Sequence, residues 1–177
     1  MCIRDRLSGS HNSGQGICLL AAGVHTTVKA RECWLSGGLV TAAVHAGAHL
    51  DARRTMLSAS EIIGVEVKGV GARLSMAENC RVENMGRAYR GAAASTKGYW
   101  CRAVYAHAAA AVELKGLTVR AVEWGIHVRG ASASVQDCSV SRCMDVCMRV
   151  SRGSQAVMTR SVLDLSLIHI SEPTRPY

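Results

Sequence analysis

The sequence predicts an all-β solenoid of about six coils, each roughly 21–24 residues long. Three observations predict it. Related stretches recur at a period near 21 residues. Within them apolar and polar residues alternate, as in Val65-Glu66-Val67, Val112-Glu113-Leu114 and Ile126-His127-Val128, the mark of a strand with one buried face. At one place in the period stands Asn79, Gly116 or Asp137. These residue types tolerate a left-handed backbone and so suit a tight corner.

Val28 and Cys33 begin the series, and Gly47-Ala48-His49-Leu50 is echoed by Gly71-Ala72-Arg73-Leu74. Gly64-Val65-Glu66-Val67-Lys68-Gly69 matches Gly125-Ile126-His127-Val128-Arg129-Gly130, a match that runs on to set Leu74 against Val135, and Asn79-Cys80-Arg81-Val82 matches Asp137-Cys138-Ser139-Val140. Val112 to Val119 lies 21 residues before Ala133 to Val140, while Val157 and Val162 stand 22 residues after Val135 and Val140. After each corner, Cys80, Leu117 and Cys138 are expected to stack inward, with Val82, Val119 and Val140 as a second inward ladder. Ala106 to Val112 has high helix propensity, but its match to the next coil makes it a strand. Leu74 to Leu114 spans 40 residues, nearly two periods, so 84–102 reads as an irregular insertion, the kind that often carries binding in solenoids.

On these repeats the chain resembles the right-handed parallel β-helix of the pectate-lyase-like superfamily, over about Gly16 to Asp164. The resemblance implies that each coil gives one strand to each of three parallel sheets. It is specific for fold and unspecific for function. Stacking supplies the core, since no single coil can bury its apolar face alone.

Composition agrees. Hydrophobic residues are 49% and charged residues 19% of the 177, which excludes a disordered polyelectrolyte. No apolar run reaches the roughly 18 residues of a membrane-spanning helix. Both prolines, Pro173 and Pro176, fall in the last five residues. Both ends read as translated sequencing adapter. Met1 to Arg6 is what ATG TGT ATA AGA GAC AG encodes, and Leu165 to Arg175 matches the reverse adapter. Residues 1–6 and 165–177 are therefore set aside as scars. This leaves 7–164 as a β-helix fragment that continues, in a longer protein, into other coils at both ends. Removing Arg4, Arg6, Arg175, Asp5 and Glu172 takes the net charge from +8 to +7. That charge is spread along the chain rather than blocked, so no nucleic-acid stripe is indicated.

Catalytic chemistry is thinly provided. The acids Glu66, Glu83, Glu113, Glu123, Asp137 and Asp145 stand apart in sequence. Calcium needs about six to eight oxygen ligands, and glycoside hydrolysis needs two facing carboxyls. Gly23-Val24-His25 lacks the Gly-His-Gly form of the related galacturonases. Glu66 and Glu113 share an outer face in projection, read as solvated. The histidines show no partner pattern, and His127 is read as an outward, solvent-exposed residue. Cys138, Cys143 and Cys147 lack zinc-site spacing; the repeat-equivalent cysteines read as buried small hydrophobes. No catalytic residue, metal site or cofactor is assigned.

The insertion stands out. Arg87, Tyr89, Arg90, Tyr99, Trp100 and Arg102 combine aromatic faces with guanidinium forks, a set suited to an acidic glycan or a protein partner. The expectation is a non-catalytic binding or scaffold module of a larger protein, with a polysaccharide or protein ligand and neither a membrane nor a nucleic acid as partner. The alternative is a piece of a polysaccharide lyase or glycoside hydrolase whose catalytic coils lie elsewhere. Nothing in the residues identifies a compartment.

Overall fold

The computed structural model describes residues 2–3, 6–8, 16–84 and 101–165. These contain strands and no helix. In chain order the strands are β1 (Cys2–Ile3), β2 (Arg6–Ser8), β3 (Ile17–Ala22), β4 (Thr27–Arg31), β5 (Trp34–Ser36), β6 (Val40–His45), β7 (His49–Arg53), β8 (Met56–Ser58), β9 (Ile63–Lys68), β10 (Arg73–Ala77), β11 (Arg81–Glu83), β12 (Arg102–His107), β13 (Ala111–Lys115), β14 (Thr118–Arg129), β15 (Ser132–Gln136), β16 (Ser139–Ser151), β17 (Gln155–Thr159) and β18 (Val162–Leu165).

The pairing is parallel throughout, and each strand pairs with its counterpart one turn away. The result is a parallel β-solenoid of about six turns with three faces. Face 1 runs β3-β6-β9-β12 and on through the second halves of β14 and β16. Face 2 runs β1-β4-β7-β10-β13-β15-β17. Face 3 runs β2-β5-β8-β11, the first halves of β14 and β16, and β18. β14 and β16 cross the corner from face 3 to face 1 without interruption, which fuses those two faces into one eleven-stranded sheet.

Inward rows fill the bore. Leu50, Leu74 and Val112 form one row; Leu57, Val82, Val119 and Val140 form another. All are buried. Fully burying a valine or leucine contributes about 1.5–3 kcal/mol, so stability accumulates row by row rather than from one centre.

The corner between faces 2 and 3 explains its own residue types. Asn79 (φ 62°), Gly116 (φ 64°) and Asp137 (φ 53°) are left-handed, as the sequence predicts. Glu32, Arg54 and Arg160 hold the same conformation at the equivalent corners although their types give no warning of it. The next residue points inward, giving Cys33, Thr55, Cys80, Leu117 and Cys138, all buried. Most of these do more than fill space. Cys33 Sγ donates to Arg31 O (3.2 Å), Thr55 Oγ1 to Arg53 O (3.0 Å), Cys80 Sγ to Ala77 O (3.1 Å) and Cys138 Sγ to Gln136 O (3.1 Å). A small side chain with a donor thus adds a hydrogen bond to a carbonyl beside the corner; Arg53 O and Gln136 O also accept Glu32 N and Gly116 N from the preceding turn. Burial pushes the Cys80 and Cys138 thiols above their ordinary pKa, which keeps them protonated donors. Cys80, Cys138, Cys143 and Cys147 are free thiols.

Ala106 to Val112 is non-helical, but it is not the single strand expected. β12 ends at His107, Ala108 and Ala109 turn with positive φ, and β13 starts at Ala111. One alignment is corrected. Val135 pairs with Met158 and Val140 with Leu163, so the last step is 23 residues rather than 22. Val157 and Val162 therefore lie outside the inward rows and are exposed. At the chain ends, Cys2–Ile3 pairs with β4 and Arg6–Ser8 with β5, while Leu165 belongs to β18.

Candidate functional site

Residues 85–100 fall in sequence between β11 on face 3 and β12 on face 1, and β12 starts at Arg102. Arg102 N bonds Ile62 O (2.8 Å), and Cys101 N donates to Glu123 Oε2 (2.7 Å), fixing the start of β12. Of the six candidate residues, Arg102 is described; Arg87, Tyr89, Arg90, Tyr99 and Trp100 lie outside the described residues.

Two adjoining outward rows cross face 1. One aligns Glu66, Tyr105, His127 and Arg149; the other aligns His45, Lys68, His107 and Arg129. Period-two alternation sends these side chains away from the bore. The rows bring together residues 20 to 40 apart in sequence, and two clusters result.

In the first cluster Glu66 lies between two imidazoles. His45 Nε2 donates to Oε2 and His107 Nε2 to Oε1, each at 3.0 Å. Burial pushes the Glu66 pKa up, but the hydrogen bonds from His107 and His45 outweigh it and leave the carboxyl below its ordinary value. Glu66 stays ionised because both its oxygens are met by donors. This corrects two expectations. His45 and His107 do share a partner, and Glu66 does not share a face with Glu113, which sits on β13 in face 2.

The second cluster surrounds His127, which is 6% exposed. It faces outward as predicted, but neighbouring side chains cover it. Its ring lies 5.0 Å from Tyr105 and 5.3 Å from Trp124, centroid to centroid, and Tyr105 stacks on His107 at 4.4 Å. Arg102 Nε donates to His127 Nδ1 (3.2 Å), which leaves Nε2 to carry the proton toward Ser151 Oγ, 3.5 Å away. Burial, then Arg102, Arg149 and Arg129, lower the His127 pKa to about 4. The imidazole is therefore neutral in neutral solution.

Trp124 is the structural anchor of this cluster. Its Nε1 donates to Asp145 Oδ2 (2.8 Å), and the guanidinium carbons of Arg149 and Arg102 lie 5.0 and 5.4 Å from its ring centroid. Arg102 also stands 4.7 Å over Tyr105. Such cation–π contacts hold guanidinium groups in place without neutralising them. Gly125 follows, and a Cβ there would come 2.2 Å from Cys147 O, so only glycine lets β14 and β16 approach this closely beside the site.

Chemically, the face offers cations, N–H donors and two carboxylates already engaged, Glu66 by imidazoles and Asp145 by the Trp124 indole. Lys68, Arg102, Arg129 and Arg149 make no ion pair with a described carboxylate. Among the described residues no group of three or more His, Cys, Asp or Glu side chains is arranged to hold a metal ion, and no helix is long and apolar enough to cross a membrane.

No family model matches the chain, and no curated protein or solved structure matches it either. The class defined by the fold is that of the parallel β-solenoids.

Proposed function

We propose that this chain is a non-catalytic binding module of a larger β-helix protein in the pectate-lyase-like superfamily. Its ligand is an acidic glycan laid along the outside of face 1. The observation that carries the reading is the pair of outward rows in which Lys68, Arg102, Arg129 and Arg149 lack a described carboxylate partner. Guanidinium groups held over aromatic rings are ordered before a ligand arrives, so less entropy is lost when a carboxylate or sulfate binds. In sequence, Arg87, Tyr89, Arg90, Tyr99 and Trp100 precede Arg102, the first residue of β12 on this face.

The test is calorimetric titration with oligomers of a polyuronate, a sulfated glycan and a neutral glucan. Binding to the charged glycans, weakening with salt and reduced about tenfold or more in Arg129→Ala/Arg149→Ala, supports the reading. Equal binding of the neutral glucan, or an unaffected double variant, overturns it.

A second reading, a fragment of a polysaccharide lyase or glycoside hydrolase, draws on Glu66, a carboxylate poised between two imidazoles on the same face. Against it, hydrolysis needs a second facing carboxyl, and the outward rows of face 1 hold none beside Glu66. Release of unsaturated or reducing ends by the wild type but not by Glu66→Gln would favour it.

A further inference from the structure

Arg102 spends its Nε–H inside the fold. It donates to His127 Nδ1 at 3.2 Å, and the same guanidinium stands 4.7 Å from the Tyr105 ring centroid and 5.4 Å from that of Trp124. Nδ1 accepts this bond only while it is unprotonated, because an imidazolium donates from both ring nitrogens. A proton on Nδ1 and Arg102 on Nδ1 therefore exclude each other. Nε2 offers no alternative, since it already carries the ring proton toward Ser151 Oγ. The surrounding groups decide which of the two prevails. From β12, Arg102, Tyr105 and His107 face the imidazole; from β16, Arg149 and Ser151 do, with Asp145 bonded to Trp124 Nε1; from β14 itself comes Arg129. Three of these are permanent cations. Together with burial they hold the free imidazole at about 4, so Arg102 is parked on Nδ1 in neutral solution.

We infer that Arg102 is a proton-linked latch on face 1: it leaves His127 Nδ1 to grip a bound anion, and the vacated nitrogen takes up a proton from solvent. This rests on the reading of face 1 as an anion-binding surface. An anion held by Arg102, Arg129 and Arg149 acts on His127 in two ways. It draws the Arg102 guanidinium off Nδ1, and it offsets the positive field that disfavours an imidazolium. Both raise the affinity of His127 for a proton. Linkage is reciprocal, so a proton on His127 strengthens the hold on the anion by the same factor. The free chain keeps His127 neutral down to about pH 4, whereas the complex protonates it closer to the ordinary 6.5. Between those limits binding takes up a proton and tightens as pH falls. Ligand and proton are thus bound together, and the surface holds its anion best in mildly acid solution.

Calorimetric titration of the full chain with a sulfated glycan tests it, because sulfate esters stay ionised throughout the range. At fixed ionic strength the affinity should rise about tenfold from pH 7 to pH 5, and buffers of different ionisation enthalpy should show uptake of about one proton at pH 5. His45 and His107 share this face, and His127→Gln separates their effect: in that variant both the tightening and the uptake should vanish. A second arm needs neither variant nor glycan. The His127 Hε1 resonance should titrate near pH 4 in sodium chloride and move up toward pH 6 in sodium sulfate of equal ionic strength. Glycan binding without proton uptake overturns the latch and leaves the glycan reading of face 1 standing. A midpoint raised by sulfate in a chain that binds no glycan does the reverse. Uptake that persists in His127→Gln overturns the latch, as does a midpoint that neither glycan nor sulfate moves.

Discussion

Faces 1 and 2 both bury apolar inward rows in the same bore, yet their outer surfaces treat charge in opposite ways. On face 2 and its corner, Asp51 meets Arg31 at 2.6 Å and Arg53 at 3.4 Å, Glu78 meets Arg53 at 2.7 Å and Arg54 at 2.8 Å, and Arg54 also meets Glu32 at 2.9 Å. Three acids and three arginines close on one another across consecutive turns. On face 1 Glu66 is taken up by two imidazoles and Asp145 by the Trp124 indole, while Arg102 and Arg149 rest on aromatic rings or on a neutral histidine. Charge that is matched within the fold serves stability, whereas charge left unmatched on an ordered surface remains available to a partner.

The widest disruption removes the support common to both faces. Val119→Asp places an unpaired carboxylate in the bore, at a cost of several kcal/mol. It is expected to unfold the chain, read as loss of the cooperative urea transition. Asp51→Asn probes face 2 alone. It strands Arg31 and weakens the tie to Arg53, and should lower stability by about 2 kcal/mol with glycan binding unchanged. The mirror experiment, Arg129→Ala/Arg149→Ala on face 1, should leave the urea midpoint within about 0.5 kcal/mol of wild type while ligand affinity falls. If Asp51→Asn and Arg129→Ala/Arg149→Ala both cost stability and neither costs affinity, the contrast between the faces fails.

Acid gives the smallest and sharpest test. His127 titrates near pH 4 in the folded chain, below the ordinary 6.5. The unfolded chain therefore takes up its proton first as pH falls. The stability associated with a neutral His127 is full above about pH 6.5 and is lost progressively toward pH 4. Glu66, also lowered, loses its contribution further down, as pH falls through its folded value. His127→Gln should flatten the upper part of the profile and leave the lower part. Glu66→Gln should do the reverse. An unchanged upper slope in His127→Gln would place the titrating group elsewhere.

These contrasts bear on what the residues alone reveal. The repeat was legible because inward positions tolerate only apolar or small side chains, and because Asn79, Gly116 and Asp137 advertise a left-handed corner. Glu32, Arg54 and Arg160 adopt the same corner silently, held there by neighbouring turns. Register errors had unequal consequences. Aligning Leu74 with Val135 instead of Ala133 is a slip of two and keeps the side chain inward. Placing Val157 opposite Val135 is a slip of one and turns it outward. The candidate site was far less legible. Arg102 was found through its aromatic neighbours in sequence, but His45, Glu66 and His107 meet only once the register of three turns is set. The burial of His127 depends on side chains from β12, β14 and β16 converging over it, which alternation along one strand cannot foretell.

The uneven spacing along one inward row has a kinetic consequence. Val28, Leu50 and Leu74 follow at 22 and 24 residues, and Val112, Ala133 and Ala156 at 21 and 23, but Leu74 and Val112 are 38 apart. Closing that longer loop costs about 0.5 kcal/mol more than closing an ordinary turn. The turns before Leu74 and those after Val112 can each nucleate and propagate by nearest-neighbour closure. The junction between them is then the slowest rung to form, so refolding should proceed from two zippers that meet where the insertion departs.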